Sequence, residues 1–538
     1  MRGADLVTKA LSEAGVTTIF SLSGNQIMPI YDASIDVGIR LVHVRHEAAA
    51  LFMADAWAQL TGDVGIALIA AAPGFANGLG PLYTARASES PVVFLSGDAP
   101  IGQDGQGAFQ ELTQTAITEP LTKASFRATS ADSLGYDVAK AIRIARSGRP
   151  GPVHLALPFD VLEARTTNSA VPAPDCFAPE TSMPVEADME AVADALKDAE
   201  RPLIVLGPAS NASRAGDLLG RLADATDAPV IPMESPRGLN DPSLGQISKS
   251  FAQADLILSL GKSIDFTLNF GKPPAVDLAC RWVVIDPESD QLERARRNLG
   301  SRLAAAHRAD VRAAVNRLVD LAQRPAAGRE SWRAEVASAI AFRGFEAKDD
   351  PAAKRMSPAV LCQAVQRQID AAEESVLIAD GGEFGQWAQA CLSSPARVIN
   401  GPAGAIGGGL CYGVAAKLAR PDATVFALMG DGTSGFHFGE FETAVRCKAP
   451  FIAVIGHDAR WNAEHQIQLR KYGPDRLIGC QLDATRYDLA AQGLGCHGEY
   501  VTDPGELDAA LDRAIKSGLP ACVNVEIEGR PAPSGSSH

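Results

Sequence analysis

The nine cysteines of this 538-residue chain are scattered, with no Cys-x-x-Cys or comparable spacing. That pattern excludes a disulfide scaffold, offers no zinc-ligand set and marks the cysteines as reduced core thiols. Long apolar runs are missing as well: the best, 64–72, ends at Pro73-Gly74 and is too short to span a bilayer. No secretory h-region precedes the amphipathic stretch at 6–14, so a cytoplasmic location is the expectation. Positive charge is in deficit, with 49 Lys+Arg against 64 Asp+Glu and a formal net charge of −15. That balance argues against nucleic acid or an anionic membrane as the main partner. Finally, no Gly-x-Gly-x-x-Gly follows a strand-like run in residues 186–325, so a bound dinucleotide is not supported there.

What is present is the composition of a globular protein, 46% hydrophobic and 21% charged. The length is too great for one core and implies two to four domains. From 1 to about 165, short apolar runs at 18–21, 41–44, 64–70, 92–96 and 153–157 alternate with helical patterns such as 48–60. Such alternation predicts a parallel sheet covered on both faces. A Pro/Ser/Ala-rich stretch, 166–183, reads as a linker. A second block, 186–325, has strand-like runs at 203–206, 229–231, 256–260 and 282–285. A charged Ala/Arg-rich segment, 326–357, reads as a second linker with some helix, and a third block occupies 357–530. The expected fold class is α/β, with three consecutive doubly wound parallel-sheet domains. The tail, 529–538, rich in Pro, Ser and Gly, is expected to be mobile.

The third block holds the most informative stretch. Residues 424–429 read as a buried strand, 436–447 as a helix and 450–456 as another buried strand, a βαβ unit. Gly430-Asp431-Gly432-Thr433-Ser434 follows the first strand, and His457-Asp458-Ala459-Arg460 follows the second. Open α/β sheets bind ligands at the carboxyl ends of their strands. A helix N-terminus beside glycines suits phosphate oxygens, and converging carboxylates suit Mg²⁺. The bare residues therefore point to a Mg²⁺–diphosphate site, although for Gly-Asp-Gly alone an ordinary turn is the preferred reading.

The spacing resembles the thiamine diphosphate (ThDP) fingerprint: Gly-Asp-Gly, about two dozen residues, then Asn-Asn. Here His457-Asp458 stands in place of the Asn pair. The resemblance implies Mg²⁺ ligation by the side chains of Asp431 and Asp458 and by the backbone carbonyl of Arg460. A second carboxylate beside a diphosphate is unfavourable unless compensated, and the Arg460 side chain is the expected compensation.

The order of the three blocks is similar to that of the acetolactate-synthase-like ThDP enzymes: pyrimidine-binding, central Rossmann-like and diphosphate-binding domains. So are Phe109-Gln110-Glu111, Pro120-Leu121-Thr122-Lys123 and Gly148-Arg149-Pro150-Gly151-Pro152-Val153 before Leu157-Pro158. This resemblance assigns Glu47, in Arg45-His46-Glu47, to the glutamate that hydrogen-bonds N1′ of the aminopyrimidine and so promotes loss of the thiazolium C2 proton. On the residues alone, Glu47 reads as an acid at a helix N-terminus, worth under roughly 1 kcal/mol. Pro73 and Asn77, in Pro73-Gly74-Phe75-Ala76-Asn77, match the segment packed on the pyrimidine. Gly382, Glu383 and Phe384 follow a strand at 376–379, and Gly404 and Ile406 lie in the Gly-rich turn at 401–409. Ile406 stands where the family places the wedge that bends the cofactor, and in isolation it reads as core. Gly430, Gly432, Thr433 and Trp461 complete the implied cofactor contacts. Gln110 matches a glutamine that carboligases place near the thiazolium. Glu464, six residues after Asp458, matches a proton-relay glutamate of some decarboxylases and reads equally as an exposed helix residue. Asn25 and Gln26 stand on the loop that borders the substrate in the family. His46, beside Glu47, reads equally as a structural hydrogen-bonder, and His437 and His465 receive no role.

Asp380-Gly381-Gly382-Glu383-Phe384 and Gly456-His457-Asp458-Ala459-Arg460-Trp461 resemble the 2-hydroxyacyl-CoA lyase branch more than acetolactate synthase proper. That branch implies cleavage of a 2-hydroxyacyl-CoA to an aldehyde and formyl-CoA, although no CoA site is recognisable in 186–325. The alternative is a 2-oxo acid decarboxylase or carboligase. A ThDP-binding protein without activity is a third reading, opposed by Glu47 together with both metal carboxylates. In this family each active site lies between two subunits, which implies a homodimer or homotetramer with a small-molecule substrate.

Overall fold

In a computed structural model of the chain, the described residues are 1–166, 170–323, 328–344, 355–400 and 402–533. Three parallel sheets succeed one another. The first contains β1 (Thr18–Ser21), β2 (Arg40–His43), β3 (Gly65–Ile69), β4 (Val92–Asp98), β5 (Ala124–Arg127) and β6 (Val153–Pro158), in the order β2-β1-β3-β4-β6-β5. The second contains β7 (Pro202–Leu206), β8 (Val230–Pro232), β9 (Leu256–Leu260), β10 (Arg281–Ile285) and β11 (Leu303–His307), in the order β11-β10-β9-β7-β8. The third contains β12 (Ser375–Ala379), β13 (Ala396–Ile399), β14 (Thr424–Gly430), β15 (Ile452–His457), β16 (His497–Val501) and β17 (Ala521–Glu526), in the order β13-β12-β14-β15-β17-β16. The first and third sheets thus share one winding. In each sheet the chain reverses its direction of progress between the first strand and the third, which opens a crevice at their carboxyl ends.

Alternate residues of each strand enter different cores, which is why these runs are apolar throughout rather than alternating. In β14, Val425, Ala427 and Met429 join one cluster while Phe426 and Leu428 join another. The first of these clusters also takes in Phe20, Ala67, Ile69 and Phe94, so the first and third sheets share a continuous core. At its centre, α1 (Glu47–Thr61) packs against α2 (Gly409–Ala419). α1 is apolar on nearly all sides, as a helix enclosed by protein must be. The His46 ring nitrogen accepts the Ala48 N–H at 3.1 Å to cap it, and Gly62 ends it at φ 77°. Buried Tyr412 on α2 donates its hydroxyl to Asp55 on α1 at 3.2 Å. The central sheet has two clusters of its own. Arg149 ties the central domain to the first domain through Asp286 and Glu89, and Arg397 ties it to the third through Glu234 at 2.6 Å.

Several expectations need correction. The helix expected at 436–447 is confined to Glu440–Cys447, because Gly435 and Gly439 let 435–439 close as turns, with Phe436 N–H donating to Thr433 and Glu440 N–H to His437. The stretch at 166–183 is no free linker where described: Pro174–Phe177 forms a 3-10 turn and Phe177 packs on the first domain. Within 326–357, helix Glu330–Ala341 buries Trp332 and Val336 against the central sheet. Positions 326–327 and 345–354 of that expected linker lie outside the described residues. The tail expected to be mobile is instead docked over 529–533, while 534–538 lie outside the described residues. Gln466 and Asn462 donate to the carbonyls of Gly529 and Arg530 at 3.1 and 3.2 Å, and Ala532 N–H donates to Glu383 at 2.6 Å. Among the described residues no helix is long and apolar enough to cross a membrane, and none of the nine cysteines is paired.

Candidate functional site

The crevice of the third sheet, between the ends of β12 and β14, opens into a cavity of about 390 Å³. Three strand ends and one turn supply it. After β12 come Gly381 and helix α3 (Gly382–Cys391), with Glu383 and Phe384 in its first turn. After β14 come Gly430 and the short helix Asp431–Ser434. After β15 come Asp458, Arg460 and Trp461, then α4 (Asn462–Tyr472) with Glu464 in its first turn. Gly404 and Ile406 reach in from the Gly-rich turn, whose expected first residue, Gly401, lies outside the described residues. Gly382, Glu383, Phe384, Gly404, Ile406, Gly430, Asp431, Gly432, Thr433, Asp458, Arg460, Trp461 and Glu464 all line this one cavity.

Tight backbone approaches shape it. A Cβ on Gly381 would meet Ile406 Cγ2 at 2.3 Å, and one on Gly432 would meet the Trp461 ring at 2.7 Å. Asp380 organises the Gly-rich turn: its carboxylate accepts the backbone N–H of Gly381 (2.6 Å), Gly407 (3.1 Å) and Gly409 (2.7 Å). Burial nevertheless pushes the Asp380 carboxyl up to about 6. Between Asp458 and Arg460, Ala459 takes a left-handed φ of 60°, which turns the chain over the cavity.

The electrostatics call for a cation. Asp431 and Asp458 are both buried. Burial, and then the neighbouring Asp431 carboxylate, push Asp458 up to about 7, against the pull of Arg460. Burial raises Asp431 as well, and its Oδ2 has no hydrogen-bond partner. His457 Nε2 stands 3.7 Å from that oxygen, beyond hydrogen-bond range, with its ring edge-on to Tyr487. Among the described residues no three His, Cys, Asp or Glu side chains form a ready metal cluster. Two carboxylates and a carbonyl, with oxygens supplied by a ligand, are the kind of donor set that suits Mg²⁺.

The residues expected from the first domain form a second group that does not line this cavity, although His46 and Ala48 on either side of Glu47 border a separate pocket with Ile406. Asn77 Nδ2–H donates to Glu47 Oε2 at 2.9 Å, and a Cβ on Gly74 would meet Glu47 Oε1 at 3.3 Å. Ala72 (φ 44°) directs the chain into Pro73. Gln110 lies on a neighbouring loop, hydrogen-bonded to Gln26. Among the described residues, no residue of the first domain lines the 390 Å³ cavity.

Models of the thiamine pyrophosphate enzyme family match all three domains: the N-terminal TPP binding domain over residues 1–117, the central domain over 189–318 and the C-terminal TPP binding domain over 380–525. The chain belongs to the thiamine pyrophosphate enzyme family. It is 31% identical to a probable acetolactate synthase of Mycobacterium bovis, across 98% of this chain and 95% of that one. It is 29% identical to human 2-hydroxyacyl-CoA lyase 2, across 98% and 90% of the two chains. To a 2-hydroxyacyl-CoA lyase of Oryza sativa it is 28% identical, across 98% and 95%.

For a thiamine pyrophosphate enzyme the cavity fits the cofactor's diphosphate together with a cation, since glycine backbones leave room for phosphate oxygens while the unpartnered buried Asp431 oxygen suits a metal ion between them. Ser235, Pro236 and Arg237 of the central domain also line it. These were not legible in the sequence, because no motif surrounds them and only domain packing brings them there. Asp380 was legible as part of a strand-end motif, but not as the anchor of the Ile406 turn. Arg355, which donates to the Asp458 carbonyl at 3.3 Å, carried no sequence signal at all.

Proposed function

We propose that this enzyme is a ThDP- and Mg²⁺-dependent carbon–carbon lyase of the 2-hydroxyacyl-CoA lyase type, converting a 2-hydroxyacyl-CoA into an aldehyde and formyl-CoA. The observation that carries this reading is the continuation of the cofactor cavity onto the central domain. Arg237 lines both that cavity and a neighbouring groove of about 480 Å³, which is also bordered by Lys249, Asn269 and Phe266. Phe266 is 58% exposed, and Lys272 sits 5.6 Å above the neighbouring Phe270 ring. A shared arginine, the groove's own Lys249 and the exposed ring of Phe266 suit a substrate with an acyl group at one end and an anionic, ring-bearing tail at the other. A CoA ester has that form.

In this reading Asp431, Asp458 and the Arg460 carbonyl would hold Mg²⁺, the backbone at Gly430 and Gly432 would take the diphosphate, and Ile406 would support the cofactor. The bound cofactor supplies a nucleophilic carbon and then an electron sink for bond cleavage. Glu47, held by Asn77, would hydrogen-bond the pyrimidine N1′ and keep a proton there. Gln110 would meet the reacting oxygen. Since no residue of the first domain lines the cavity in the same chain, this reading takes Glu47 from a second copy, and the active unit is a homodimer or a dimer pair. A monomeric sedimentation coefficient in an active sample would rule this out.

A second reading, a 2-oxo acid decarboxylase or carboligase of the acetolactate synthase kind, is favoured by the mycobacterial similarity and by Glu464, exposed at the cavity mouth. Protein reconstituted with ThDP and Mg²⁺ separates the two when offered a 2-hydroxyacyl-CoA in one reaction and 2-oxo acids in another. Formyl-CoA with aldehyde supports the lyase. CO₂ from an oxo acid, with no product from the CoA ester, refutes it and establishes the second reading.

A further inference from the structure

Gln110 is held in place more firmly than a surface loop requires. Its backbone is left-handed, with φ 60°, a conformation that strains a residue bearing a side chain. The loop around it is stapled by Glu111, whose carboxylate accepts the N–H groups of Gly105 (2.6 Å), Gly107 (3.0 Å) and Ala108 (3.0 Å). Its side chain is gripped too: Gln26 Nε2–H donates to Gln110 Oε1 at 2.6 Å. Gln26 is 6% exposed and seated against the sheet, since a Cβ on Gly97 of β4 would lie 2.8 Å from Gln26 Cβ. Backbone strain, a stapled loop and a buried amide all converge on one side chain.

We infer that Gln26 is a positioning residue, which fixes the amide of Gln110 in one orientation and so makes Gln110 a hydrogen-bond donor to the reacting oxygen of the substrate. A primary amide has an acceptor end and a donor end. With its oxygen turned onto the Gln26 N–H, the Gln110 amide holds its NH₂ on the opposite side, where it is free to donate. That group can meet only an acceptor, such as the carbonyl or hydroxyl oxygen on the carbon undergoing bond making and breaking. Negative charge grows on such an oxygen in the transition state, where a fixed donor is worth most. Were the amide free to turn over, its oxygen would face the substrate oxygen for part of the time and repel it. The inference rests on the carbon–carbon lyase or carboligase reading and adds the polarity of one contact in its substrate site.

The test compares four forms of the holoenzyme loaded with ThDP and Mg²⁺: the native protein, Gln26→Met, Gln110→Met and the double variant. Exchange of the thiazolium C2 proton in D₂O, without substrate, reports cofactor activation; aldehyde release from a 2-hydroxyacyl-CoA and CO₂ release from a 2-oxo acid report turnover. Expected is C2 exchange within about twofold of native in every form, with kcat lowered about 10–100-fold by Gln26→Met and KM little changed. In the Gln110→Met background Gln26→Met costs nothing further, because it acts only through the amide already removed. Gln26→His, whose ring N–H can donate to the same oxygen, keeps kcat within about threefold of native. An unchanged kcat in Gln26→Met overturns the inference, as does an equal loss in both backgrounds, which assigns Gln26 to the fold alone. Failure of the underlying reading looks different: native protein that does not exchange the C2 proton is no ThDP catalyst, and the inference falls with it. Turnover of the oxo acid alone removes the lyase assignment while the four forms are still compared on CO₂.

Discussion

Replacing Gly430 by alanine separates two roles that a glycine can have at a strand end. Its backbone lies at φ −75° and ψ 164°, open to any residue, and a Cβ there meets no atom within 4 Å. The fold therefore does not need glycine at this position. Gly430 lines the cavity directly before Asp431, however, so in the proposed site an added methyl would occupy space through which a diphosphate oxygen would reach the backbone. Losing one charge-assisted N–H···O contact costs about 1.5–3 kcal/mol. In affinity that is a loss of about 10–150-fold. Gly381→Ala is the contrasting case. Its Cβ would stand 2.3 Å from Ile406 Cγ2, where an ordinary carbon contact is about 3.5–4 Å, and the turn behind Ile406 is pinned by Asp380. Overpacking of that kind costs about 1–3 kcal/mol of stability in addition to affinity. Calorimetric titration with ThDP at saturating Mg²⁺, paired with thermal unfolding of the cofactor-free protein, reads both quantities. Gly430→Ala should keep the native unfolding midpoint and bind more weakly, whereas Gly381→Ala should lose on both counts. Native affinity in Gly430→Ala would refute the reasoning and leave this glycine an ordinary turn residue.

Asp380, pushed up to about 6 from an ordinary 3.8, holds a proton in the folded state over a range in which the unfolded chain has released it. Its contribution to stability therefore falls as pH rises through that window, by about 3 kcal/mol in all. Asp380→Asn should remove this part of the pH slope when denaturant midpoints are compared at the two ends of the window; parallel slopes in the two proteins would show the group titrating normally. Glu47→Gln should bind ThDP within about threefold of native yet slow C2 proton exchange by about 10²–10⁴-fold, and persistence of exchange would place the activating group elsewhere. Arg460→Ala removes a cation that opposes the rise of Asp458, so affinity for ThDP with Mg²⁺ should fall about tenfold by calorimetry; equal affinity would assign the compensation to Arg355.

The third domain was the most legible part of the chain, because its functional residues sit at the ends of strands that are apolar from end to end. Gly430 to Thr433 and Asp458 to Trp461 could be placed on one crevice from two such runs and the glycines after them, and both segments do line one cavity. Neighbouring regions were misread where local composition and long-range packing disagree. The Pro/Ser/Gly-rich tail has the composition of a mobile end, yet residues 529–533 are fastened by Asn462, Gln466 and Glu383, none of which is near them in sequence. Residues 436–447 carry helical spacing, but Gly435 before the segment and Gly439 within it make the first turn cheap to break.

Sequence alone determined the three α/β units, the parallel character of their sheets and the phosphate-suited turn at Gly430. Each of these depends on a run of a few residues: a strand buried on both faces must be continuously apolar, and a backbone approached closely must lack a side chain. Tertiary structure alone decided that Arg237 joins the cavity, that Asp380 anchors the Ile406 turn and that Gln26 grips Gln110. It also placed Glu47 outside the cavity of its own chain, and it raised Asp458 to about 7 through burial beside Asp431. These outcomes depend on desolvation and on contacts between residues distant in the chain, which periodicity and spacing do not encode.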